Sequence, residues 1–253
     1  MNVHKHVKDR AFFTPLQISM TAINAALYAS IGLVTYFGIF APQPLGIVRF
    51  WPAVIIPGVF ATLFGPWVGG IGALFGIFVS DMFIHGNALL SVTVGIPSNF
   101  IGFYLVGYIA RKQLNLRKLI PVFAAGALSL IMGVYAIIAF PETRTLYQIQ
   151  LSIFETILLF LGVVGGSYLL IIIVAGLWPE WRSYGVASVI GLGVGSAIIG
   201  LGLTAYFSAP LYYSLGWFVW TFTTEIPFLL LLGPPVLKAC YKAFPSLLQS
   251  SKK

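Results

Sequence analysis

The chain alternates long apolar runs with short polar breaks, and most of its charges fall in the breaks. The densest example runs from Arg49 to Asp81, RFWPAVIIPGVFATLFGPWVGGIGALFGIFVSD, where two apolar segments meet at a Gly65-Pro66 turn and charges occur only at the two ends. A soluble fold cannot hide that much apolar surface in one hairpin, so the pattern predicts a pair of membrane-crossing helices. Each crossing takes about twenty residues. On that basis the chain offers eight segments: Leu16–Phe40, Phe50–Phe64, Pro66–Ile84, Leu90–Ala110, Leu119–Phe140, Leu151–Trp178, Tyr184–Phe207 and Gly216–Cys240. The second is short and contains Pro57, so it must tilt, thin the bilayer or lean on neighbouring helices. The expected fold is an all-α polytopic membrane bundle of about eight transmembrane helices, six at the least. It forms one integral membrane domain over residues 1–253, with tails at 1–15 and 241–253 and the bundle at 16–240.

Composition agrees with this pattern. Hydrophobic residues make up 59% of the chain and charged residues 8%, against about a quarter charged in an ordinary soluble domain. Mean hydropathy is +0.97, and no polar stretch is long enough to form a soluble domain. The net charge of +8 does not point to nucleic acid, because in a membrane protein excess Lys and Arg gather on the cytoplasmic side. Lys5, Lys8 and Arg10 precede the first segment; Arg111, Lys112, Arg117 and Lys118 separate the fourth and fifth. Arg182 lies between the sixth and seventh, and Lys238, Lys242, Lys252 and Lys253 close the chain. With eight crossings all of these share one face, which places both termini in the cytoplasm of a multi-pass cell-membrane protein. Only Arg49 and Arg144 fall on the other side. The first segment is longer than a signal-peptide core and is read as a retained helix. The single Cys240 excludes an internal disulfide.

Ionisable groups at membrane depth are costly and therefore informative. Asp81 and His85 end the third segment on the outer side, followed by Asn87, and Asn99 lies in the outer half of the fourth. Glu142 and Arg144 occupy the next outer loop, and Glu155 is one turn into the sixth segment. Glu225 lies about nine residues, or roughly 13 Å, into the eighth. Arg49 faces this group from the start of the second. An outward-facing pocket lined by these residues is one reading; an outer cluster of ion pairs, such as Arg49 or Arg144 with Glu225 or Glu155, is the other. For Asp81, capping its helix or orienting the loop weighs as much as ligand binding. Phe50, Trp51, Tyr212, Tyr213, Trp217 and Trp220 are dense at the same level. An interfacial belt accounts for most of them, with Trp51 and Trp217 open to a ligand role.

Ala22, Ala26 and Ala29 share one face of the first helix, with Ala25 flanking, and small residues allow close helix approach. Asn24, with Asp9 and Glu180, is among the few non-basic polar groups on the inner side. The chain has no P-loop, no HExxH, no paired cysteines and no convergent Ser, His and Asp set. No enzyme activity, cofactor or metal is expected.

From about Thr21 to Lys112 the chain resembles the substrate-binding S components of energy-coupling factor transporters. The resemblance rests on the alanine-rich first helix, RFWPAVIIP, LFGPWVGGIGALFG, the closing SD, GNALL and NFIGFYLVGYIARK. It implies capture of a water-soluble vitamin or related micronutrient from outside. Such a subunit would work with a separate transmembrane coupling protein and two cytoplasmic ATPase subunits, and the whole loaded subunit would reorient in the membrane. The family's first helix docks on its partner through an Ala-x-x-x-Ala face, matched here by Ala22 with Ala26 and by Ala25 with Ala29. Many members bind flat heterocycles, which stack on aromatic rings. The family has six helices and this chain eight segments, so an extra hairpin is expected among the last three. The family's last helix then corresponds either to Leu151–Trp178 or to Gly216–Cys240, with the latter preferred for its Glu225. The substrate-binding set is thus Arg49, Trp51, Asp81, His85, Asn87, Asn99, Glu155, Trp217 and Glu225. A stand-alone secondary transporter or membrane sensor, using Glu225 or Glu155 for ion coupling, is the alternative. A purely structural or assembly protein is a third class.

Overall fold

The computed structural model describes residues 13–37, 51–139, 141–146, 149–177 and 179–245. Its helices are α1 (Pro15–Phe37), α2 (Ile55–Phe64, entered through a 3-10 turn at Pro52–Val54), α3 (Pro66–Ile84), α4 (Ala88–Leu90) and α5 (Ile96–Ala110). They continue with α6 (Leu116–Ala139), α7 (Ile153–Phe160), α8 (Gly166–Leu177), α9 (Arg182–Phe207) and α10 (Leu211–Ala243). Among the described residues six helical stretches are long and apolar enough to cross a membrane: Pro15–Phe37, Pro66–Ile84, Ala88–Ala110, Leu119–Ala139, Arg182–Phe207 and Gly216–Ala243. The protein is thus an all-α polytopic membrane protein. The second segment, Pro52–Phe64, is apolar but short, as its sequence suggested. The sixth is a helix with a fault: α7 passes through a π-turn at Leu161–Gly165 into α8. A two-residue antiparallel ladder, Thr145–Leu146 with Ile149–Gln150, sits in the loop between α6 and α7.

The start of the fourth segment differs from the break that Gly95 and Pro97 suggest. The helix continues, but its ladder widens at Ser91–Gly95, where Ile96 N–H reaches back five residues to the Ser91 carbonyl. Pro97 has no N–H to donate, and its ring crowds the preceding turn. One π-turn relieves both problems and lets α4 run on into α5.

Packing divides the bundle into a core and an appendage. α3 lies between α1 and α5, α5 packs most closely on α9, and α9 packs on α10; α2 inserts among α1, α3, α5 and α10. The main hydrophobic cluster draws Tyr28, Ala61, Ala73, Phe103, Leu192 and Leu229 from all six of these helices. α6, α7 and α8 stand outside it. Only 7% of the apolar window of α6 is buried, against 61% for α9, so the peripheral hairpin is α6 with α7–α8. This is one segment earlier than expected, and it leaves α9 and α10 in the core. Close approach within the core depends on small residues. A Cβ on Gly72 would lie 2.1 Å from the Asn24 amide nitrogen, which donates to the Val68 carbonyl at 2.9 Å. Asn24, weighed as a polar oddity, thus ties α1 to α3.

The two ends of the bundle differ in charge. Arg111 and Lys112 after α5, Glu180 and Trp181 before α9, and Lys238 and Lys242 near the end of α10 surround one cavity of about 760 Å³. Of the basic residues that charge counting places on one face, Arg111, Lys112, Lys238 and Lys242 meet at this end, while Lys5, Lys8, Arg10, Lys252 and Lys253 lie outside the described residues.

Candidate functional site

The other end of the core opens into a cavity of about 580 Å³. Its wall comes from the middle of α1, the entry to α2, the end of α3, the α4–α5 start, the end of α9 and the first half of α10. Seven of the nine residues read as substrate-binding line it: Trp51, Asp81, His85, Asn87, Asn99, Trp217 and Glu225. Glu155 does not. It is exposed on α7, where its carboxylate accepts from the Ser152 N–H at 2.8 Å while Ser152 Oγ accepts from the Glu155 N–H at 3.2 Å. That reciprocal pair is a capping box, which satisfies donors left free at the helix start. Arg49 and Phe50 lie outside the described residues.

Two hydrogen-bonded chains shape the wall. In the first, Trp51 Nε1 donates to the Tyr28 hydroxyl at 3.2 Å, Tyr28 donates to Asn99 Oδ1 at 2.8 Å, and Asn99 Nδ2 donates to the Gly95 carbonyl at 3.0 Å. Trp51 and Tyr28 are almost fully buried and meet edge to face. Asn99 and Trp51 are therefore held by α1 as well as by their own helices. In the second, Ser91 Oγ donates to Asp81 Oδ2 at 2.6 Å, and His85 Nε2 lies 3.4 Å from Asp81 Oδ1. His85 Nδ1 accepts from the Asn87 N–H at 3.1 Å, which puts the neutral imidazole's proton on Nε2, facing Asp81. Asn87 Oδ1 accepts from the Leu90 N–H at 3.0 Å and caps α4. Asp81, His85 and Asn87 thus hold the α3–α4 corner while lining the cavity.

Glu225 has no such duty. It is the fifteenth residue of the 33-residue α10, roughly 21 Å from the helix start. Among the described residues its carboxylate has no hydrogen-bond or ion-pair partner. In particular, neither it nor Glu155 pairs with Arg144. A second, smaller space of about 30 Å³ adjoins it, reached by Ser98, Asn99, Ser196 and Thr221. Trp217 stands two turns before Glu225, with Tyr213 a further turn back at a ring separation of 6.2 Å. Both rings line the cavity, so Tyr213, assigned to an interfacial belt, belongs to the wall as well. Tyr28 and Thr221 are lining residues that the sequence reading did not select.

The alanine face of α1 splits. Ala22 and Ala26 are exposed, Ala25 is half-buried, and Ala29 is buried, with its carbonyl accepting from Ser80 Oγ at 3.4 Å. Among the described residues no cluster of three or more His, Cys, Asp or Glu could hold a metal ion. Comparison of the chain with protein-family models, curated proteins and solved structures found no match.

Proposed function

We propose that this chain is the substrate-capturing subunit of an energy-coupling factor type importer in the cell membrane. It binds a water-soluble vitamin or related micronutrient from outside. A separate transmembrane coupling protein and two cytoplasmic ATPase subunits then drive its passage inward. The observation that carries the reading is the clustering of seven of the nine residues expected to bind substrate around one cavity of about 580 Å³, at the end away from the basic loops. The volume falls within the range of small-molecule sites. A six-helix core with one appended hairpin, and an exposed Ala22–Ala26 pair on α1, agree with it. Mass spectrometry of small molecules released from the purified protein, with a search for co-purifying ATPase subunits, tests the proposal. A consistent absence of both would sink it.

The unpartnered Glu225 favours a second reading, a stand-alone secondary transporter in which this acid couples transport to an ion. Uptake that persists without ATPase partners and collapses with the ion gradient would select it.

A further inference from the structure

The described wall of the outer cavity carries two carboxyl groups, one imidazole and neither lysine nor arginine. The two acids are not equivalent. Asp81 is answered by the Ser91 hydroxyl and by His85; Glu225 is answered by nothing among the described residues. An ionised carboxylate left alone at this depth is costly, and proteins normally meet that cost with a partner of opposite charge. Around the same space stand Tyr28, Trp51, Tyr213 and Trp217, and the faces of such rings attract cations. An anionic ligand would face two carboxylates with no described lysine or arginine to offset them. A neutral ligand without donors would leave Glu225 as it is.

Resting on the capture reading, we propose that the captured compound is a small cation, amine-bearing or permanently charged. Its positive group sits against Glu225 and its apolar or aromatic body against Trp51, Tyr28, Tyr213 and Trp217. The competing occupant is a bare sodium ion in the adjoining space of about 30 Å³ beside Glu225, which has the size of a single water site.

The experiment uses the full chain purified in detergent. Native mass spectrometry identifies the compound it carries, and titration of that compound into emptied protein gives its Kd. The expected result is a compound positively charged at pH 7 whose Kd rises by about tenfold or more in Glu225→Gln. The control Glu155→Gln, whose carboxylate caps α7 away from the cavity, leaves Kd unchanged. Thermal protection provides a second measurement with defined probes: benzyltrimethylammonium should protect the wild type more than benzyl alcohol or benzoate does, and Glu225→Gln should erase the difference. A bound neutral or anionic compound, or a Kd indifferent to Glu225→Gln, overturns the cation assignment and leaves the capture reading standing. Protection by sodium over choline that is lost in Glu225→Gln overturns it in favour of ion coupling. No bound compound in any preparation, together with no preference for the cationic probe, overturns both readings.

Discussion

If the Trp51–Tyr28–Asn99 chain fixes the wall of the cavity, its bonds should be energetically coupled, and a double-mutant cycle can measure this. Tyr28→Phe removes one oxygen that both accepts from Trp51 at 3.2 Å and donates to Asn99 at 2.8 Å. It changes almost no volume, although Tyr28 is only 2% exposed. Each partner left behind is a polar atom in a confined site, at a cost of about 1–3 kcal/mol where water cannot reach it. Both partners line the cavity, so water can answer part of the loss, and a total near the low end, about 1–2 kcal/mol, is expected. Trp51→Phe removes the same N–H···O bond from the other side, together with some ring contact. The cycle over both substitutions isolates the shared bond. Interhelical polar pairs in membrane proteins couple by about 0.6 kcal/mol on average and up to about 1.7, so the double variant should be more stable than additivity predicts by that amount. Equilibrium unfolding of the purified protein in mixed micelles with increasing denaturing detergent supplies the four free energies. Strict additivity within error would show that the bond carries no energy and refute the account of how Trp51 is held.

Three further outcomes follow from the packing and the topology. Gly72→Ala places a methyl 2.1 Å from the Asn24 amide nitrogen and 2.7 Å from its Cβ, so it should destabilise the bundle by about 1–3 kcal/mol; an unchanged unfolding midpoint would mean that α1 and α3 are farther apart than described. In a Cys240→Ser background, a cysteine at exposed Asn87 should react in intact cells with a membrane-impermeant thiol reagent and one at exposed Asn115 should not; reversed labelling would invert the orientation and put the cavity on the inner side. Ala26→Trp projects from an exposed site, so the isolated subunit should keep its stability and ligand affinity but lose its ATPase partners in pull-down; reduced stability of the subunit alone would return this alanine to the core.

The apolar rods were legible because a crossing helix writes its length directly into hydropathy. Charge counting also told the basic end from the polar one, since it sums over many residues. Single-residue environments were harder to read. Ala22 and Ala29 project within about 20° of each other on an ideal wheel, yet the first is exposed and the second buried, because one stripe can pass from the surface to the α3 contact along its length. Depth alone groups Glu155 with the ligand set. The spacing Ser152-x-x-Glu155 is itself a capping-box signature, and it outweighs depth for an acid in the first turn of a helix. Tyr28 carries no mark of its own in the sequence, although its four-residue offset from Asn24 places both on the face turned toward α3 and α5. The peripheral hairpin cannot be told from the core in the sequence because α6 and α8 are as apolar as the core helices; composition reports contact with something apolar and does not say whether lipid or protein supplies it.

The contrast between Asp81 and Glu225 separates what is structural from what is available. Both are acids on the cavity wall, and sequence position alone ranks Asp81 as the easier to explain, at a helix end next to a loop. Its carboxylate is indeed taken up by Ser91 and His85, and through His85 and Asn87 it positions the start of α4. Replacing it should disturb the corner first and a ligand second. Glu225 orders nothing among the described residues, so the contacts described do not account for an acid near the middle of α10. An apolar residue of similar size there would commonly stabilise a bundle rather than harm it. On the capture reading proposed above, a carboxylate with no partner among the described residues, set on the cavity wall beside aromatic side chains, is where the positive group of a ligand would be answered and from which it would be released.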